Sequence, residues 1–110
     1  MVVISQGSEA AGRVSPGSPR VRCTVVRVDR PTSGMHVGDW FEFHGSQLVI
    51  PRGTTVSVGA LSAVAPVVVL RQMDLPADNW FVRKPYICGP DAQENLIMKV
   101  EALPANEADA

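Results

Sequence analysis

The chain has 110 residues, carries 10 Lys and Arg against 11 Asp and Glu for a net charge of −1, and is 45% apolar but only 5% aromatic. That length suits one domain with a core of Val, Leu, Ile and Ala, and the scattered, balanced charge argues against a nucleic-acid partner, which needs a basic face. A membrane span needs ~20 apolar residues; the longest apolar stretch here, Val56 to Leu70, is interrupted by Ser57, Gly59, Ser62 and Pro66.

Residues 1–20 are rich in Ser, Gly, Pro and Ala without any period. They read as a disordered N-terminal tail and lack the basic and apolar regions of a secretory leader. The two cysteines, Cys23 and Cys88, lie far apart and form no CxxC pair. Reduced thiols in a cytoplasmic protein are therefore the expectation, and a disulfide would require the strands carrying them to be neighbours.

"VRCTVVRVD" (Val21 to Asp29) predicts the first strand. Val21, Cys23, Val25 and Arg27 fall on one face, Arg22, Thr24, Val26 and Val28 on the other. "RPTSG" and "VGD" read as turns, and Asp39 in the second should accept hydrogen bonds from local amides. Trp40 to His44 predicts a second strand, "HGSQ" a type II′ hairpin turn, and Leu48 to Ile50 an antiparallel return.

Thr54 to Asp74 is the main helix candidate, with its body over 57–73 and Ser57 or Thr55 as N-cap. The run Val67 to Val69 also reads as a strand; length and the alanine-rich start favour helix. Pro66 predicts a kink or a division into two short helices. The segment is apolar almost all round, which predicts burial on two sides: one by the sheet, the other by a partner subunit or a ligand.

Leu75 to Asp91 reads as an irregular connection. Asn95 to Leu103 predicts the last strand, with Leu96, Met98, Val100 and Ala102 as its apolar face and the first strand as its partner. An acidic C-terminal tail follows over 104–110. The whole is a single α+β domain over 21–103: a small antiparallel sheet with one Pro-kinked apolar helix packed on a face.

"GMHVGDWF" (Gly34 to Phe41) and "CGPD" (Cys88 to Asp91), set between these elements, resemble a family of small stand-alone bacterial proteins of uncharacterised activity. That family reads Cys-x-x-Gly-His-Lys-Val-Gly-Asp-x-Phe, then a helix, then Cys-Pro-Asp before the last strand. Pro31 stands where its first Cys falls and Met35 where its His falls, so Cys88 alone remains of that set. The resemblance implies this fold over residues 21–103 and a bacterial source, and it brings no activity.

Candidate chemistry sits in few places. His36 and His44 are separated by eight residues, too far along a strand at ~3.3 Å per residue to share a metal ion, and no metal site is expected. Trp40, Glu42 and His44 share a face by period two. A carboxylate beside an imidazole is what acid–base chemistry near neutral pH uses; the alternative is an ordinary solvent face. Cys88 reads as a nucleophile if a base or cation lowers its pKa, or as a small buried apolar group. Trp80, Arg83 and Tyr86 read as a ligand-pocket lid or an interface anchor, or as a loop that staples itself over the core with Trp80 and Phe81. No GxGxxG, P-loop, GxSxG or HExxH motif is present, which argues against a nucleotide cofactor and the familiar hydrolase triads.

Two functions fit. One is a small cofactor-independent enzyme of the bacterial tailoring type, an isomerase, cyclase or dehydratase acting on an organic metabolite, with His44, Glu42 and Cys88 as catalytic candidates and Trp40, Trp80, Arg83 and Tyr86 as substrate-binding candidates. The other is a non-catalytic module that forms a homodimer or binds a partner through the 57–73 helix and the Trp80 segment.

Overall fold

A computed structural model describes residues 20–104; the remaining residues of both expected tails lie outside the described residues. The element order is β1 (Val21–Arg27), β2 (Trp40–His44), β3 (Gln47–Val49), α1 (Val58–Arg71), α2 (Trp80–Arg83), β4 (Tyr86–Cys88) and β5 (Ile97–Ala102). The strands form one antiparallel sheet in the order β3-β2-β1-β5-β4. The fold is α+β, as the patterning predicted, and the last strand does pair with the first.

β1 owes its central place to its alternation. Val21, Cys23 and Val25 are buried beneath α1 together with Phe41, Phe43, Met98 and Val100 from the neighbouring strands. A register shift between Val25 and Arg27 then releases the strand end to solvent. The β2–β3 hairpin turns on Gly45 at φ 63, the left-handed value that a type II′ turn requires at its first central position.

The loop between β1 and β2 is held at both ends. Gly38 N–H donates to Val25 O at 2.9 Å, and Val25 N–H donates to Asp39 O at 2.8 Å. Asp39 Oδ2 accepts from His36 N–H at 2.8 Å, the local amide contact expected of it. Met35 is fully buried inside this loop, and its Sδ accepts from Ser57 N–H at 3.5 Å. Ser57 caps α1 through its hydroxyl, which accepts from Ala60 N–H at 3.0 Å.

Of the two outcomes expected at Pro66, division into two short helices does not occur: α1 runs through it as one helix. The proline removes one helical bond and costs ~3 kcal/mol, but Ala60, Val64 and Val68 lie on both sides of it and bury one continuous stripe against the sheet. Within the chain α1 is buried on that side, and Val58, Ala65, Pro66, Val69 and Leu70 on the other are exposed.

One expectation is corrected: the connection after α1 is ordered where irregularity was expected. Asn79 caps α2, its Oδ1 accepting from Phe81 N–H at 2.9 Å, and β4 then adds an edge strand to β5. Phe81 alone of the two aromatics enters the core, at 1% exposure against 60% for Trp80. Adjacent residues on one helical turn point about 100° apart, so a single core cannot take both. Phe81→Ala should therefore cost about 3–5 kcal/mol, whereas Trp80→Ala should stay within about 0.5 kcal/mol of wild type. Urea denaturation midpoints of the two variants check this contrast.

Candidate functional site

The side of the sheet away from α1 gathers most of the sequence-predicted residues. β1 residue Arg22 pairs across the ladder with Glu42 of β2 and with Glu101 of β5. Thr24 pairs likewise with Trp40 and Lys99, and Lys99 with Tyr86. Because facing residues of a ladder point to the same side, Trp40, Glu42, His44, Tyr86 and Cys88 all lie on this outer face. They do not form one site. Trp40 and Tyr86 sit on strands three places apart, about 14 Å at the usual interstrand spacing.

The β2 group is an ion cluster centred on Glu42. Although it faces outward, Glu42 is only 2% exposed, which corrects the picture of an ordinary solvent face. The Nε of Arg22 donates to Glu42 Oε2 at 2.6 Å, and Arg22 Nη2 lies 2.6 Å from the same oxygen. Arg20 Nη1 stands 3.5 Å from Oε1, and His44 Nε2–H donates to Oε1 at 2.8 Å. Arg22 also covers the Trp40 ring, its Cζ 4.1 Å from the centroid, a cation–π contact that keeps the guanidinium over the carboxylate.

Burial acts to raise the Glu42 pKa, but the hydrogen bonds from His44 and Arg22 and the charges of Arg22 and Arg20 outweigh it and hold the group below its usual 4.5. Both carboxylate oxygens are engaged, so Glu42 is a buried, ionised strut rather than a base poised near neutrality. The same geometry fixes His44 by its Nε2.

The other candidates are dispersed. Cys88 is exposed on the edge strand β4, not a buried apolar group, and Cys23 is buried in the core; both are free thiols. Burial pushes the Cys23 thiol up to about 12. Trp80 and Arg83 lie on α2 and Tyr86 on β4, all exposed. Arg83 and Tyr86 help line an open cavity at that edge of the sheet. His36 is exposed in the loop at the opposite end of the Gly38 turn from β2. Among the described residues no three His, Cys, Asp or Glu side chains are placed to hold a metal ion, and no helix is long and apolar enough to cross a membrane.

Sequence reasoning passed over Arg22, Arg20 and Glu94. Glu94 is buried, and its Oε2 accepts from Ser33 N–H at 3.1 Å and from the Ser33 hydroxyl at 2.5 Å. It thereby clips the β1–β2 loop to the β4–β5 connection, where Asp91 Oδ1 accepts from Gln93 and Glu94 amides. Comparison of the chain with family models, curated proteins and solved structures finds no match.

Replacing Glu42 by Gln leaves Arg22 and Arg20 facing a neutral amide. Because Arg22 keeps 35% of its side chain in water, the loss should fall below that of a fully enclosed pair, at about 2–3 kcal/mol near neutral pH. The sign with pH follows from the lowered pKa. The stabilisation by ionised Glu42 is present above its unfolded value and disappears as pH falls through its folded value. Chemical denaturation across acid pH should therefore show wild type and Glu42→Gln converging in stability below pH 4.5.

Proposed function

We propose that the chain is a non-catalytic binding module that associates with a second copy of itself through α1. The outer face of that helix supports the reading. Val58, Ser62, Ala65 and Val69 recur at spacings of four and three and so fall in one line, flanked by Pro66 and Leu70 and extended by Met73. All seven are exposed, Val58 to 82%. None of them carries a charge. The one polar member, Ser62, turns its hydroxyl back to donate to Val58 O at 2.9 Å, so it asks for no outside partner.

An uncharged apolar stripe can face its own copy across a two-fold axis without like-charge repulsion. Covering it removes apolar area from water at roughly 25 cal/mol per Å². Charged partners gain nothing from such a surface, which is why a second copy is favoured over a polar ligand. Trp80 adds an exposed aromatic of the kind that anchors protein contacts.

A small cofactor-independent tailoring enzyme acting on an organic metabolite is the second reading. The open cavity reached by Arg83 and Tyr86 favours it. It ranks second because Glu42 is committed to Arg22, Arg20 and His44, and acid–base work would require that carboxylate to titrate near neutrality.

Sedimentation equilibrium of the 11.8 kDa chain should give the mass of a dimer. Val69→Glu, at an exposed helical position that tolerates glutamate, should give the mass of one chain with an unchanged circular-dichroism spectrum. A wild-type protein that stays monomeric at every concentration reached would overturn the proposal.

A further inference from the structure

The cavity at the outer edge of β4 measures about 380 Å³. Its wall includes Arg71 from the last turn of α1, Arg83 from α2, Tyr86 from β4, and Lys99, Glu101 and Ala102 from β5. It exists because β5 outruns its neighbour: β4 pairs with β5 only as far as Lys99. The next contact on that side is Val100 N–H donating to Pro85 O at 2.7 Å. Alternation turns the Ala102 N–H to the same side, past the end of β4, while Leu103 N–H goes the other way, to Arg20 O at 2.7 Å.

The charges around this space do not cancel. Lys99 Nζ lies 3.3 Å from Glu101 Oε2, and Glu101 is the one carboxylate of the wall. Among the described residues Arg71 and Arg83 make no ion pair. Three cations against one carboxylate leave two positive charges in excess.

We infer that this cavity binds a small organic dianion, a phosphate monoester or a dicarboxylate. Arg71 and Arg83 grip the oxyanion, since a guanidinium offers planar paired donors that match carboxylate and phosphate oxygens. The Ala102 amide and the Tyr86 hydroxyl are further donors, and the Lys99–Glu101 pair faces the rest of the molecule. The volume lies within the ~300–1,000 Å³ of small-molecule sites. The inference rests on the cavity alone and stands or falls independently of self-association through α1.

The test is an NMR titration of the full chain, at constant ionic strength, with phenyl phosphate in one arm and succinate in the other. Either compound should shift the Ala102 amide and the Arg71 Nε–H resonance saturably. Response to phenyl phosphate alone assigns a phosphate ester, response to succinate alone a dicarboxylate, and response to both recognition by charge. Arg71→Met and, as a substitution of an exposed residue, Arg83→Met should each weaken binding about tenfold or more, whereas Arg52→Met, at an exposed position in the loop before α1, should leave it unchanged. Saturable shifts from neither compound would overturn the inference. So would wild-type affinity in both Arg71→Met and Arg83→Met, or equal weakening by Arg52→Met.

Discussion

The antiparallel pairing of β1 with strands on both sides is the constraint on which the rest depends. It gives the strand two kinds of neighbour at once. Val21, Cys23 and Val25 meet Phe41, Phe43, Met98 and Val100 beneath α1, and Arg22 is delivered on the opposite face directly across from Glu42 and Glu101. A one-residue slip would exchange these faces, placing Arg22 in an apolar core and Cys23 against Glu42, so core packing and the ion cluster enforce one register together.

That arrangement separates the structural charges from the unspent ones. The carboxylate most suggestive of catalysis, Glu42, is held by two arginines and a histidine and lies almost wholly out of water. Among the described residues Arg71 and Arg83, at the far edge of the same sheet, make no ion pair. The helix that covers the core likewise satisfies only its inner stripe of Ala60, Val64 and Val68 and leaves an uncharged apolar outer stripe. The proposed binding role draws on these two surfaces, whereas the ionised Glu42 carboxylate is already held by its neighbours.

Much of the fold was legible in the sequence because it is local. Period-two patterning in Val21 to Val25 and Leu96 to Val100 marks the core faces of β1 and β5 correctly, Phe41 and Phe43 point inward as read, and Ser57 caps α1. What stayed hidden is non-local. The loop from Val28 to Asp39 is too long for counting to give the register between β1 and β2, so Arg22 was placed on the outer face without its partner Glu42 being visible. α2 has four residues and β4 three, too few for periodicity to register, and both depend on Phe81 and Ile87 packing against a core assembled elsewhere. The uniform apolarity of α1 signalled that a second surface exists, but a helix that is apolar all round looks the same in sequence whether its outer face is covered within the chain or left free.

Whether Glu42 is a strut or a base decides between the binding and catalytic readings, and its protonation can be followed directly. The measurement is an NMR titration of the Glu42 side-chain carboxyl carbon in the folded chain. The geometry predicts a titration below the usual 4.5, with the carboxylate ionised throughout the neutral range. A carboxyl that titrates well above that value, toward neutrality, would contradict the structural role of the Arg22–Glu42 pair and return Glu42 and His44 to the position of catalytic acid and base.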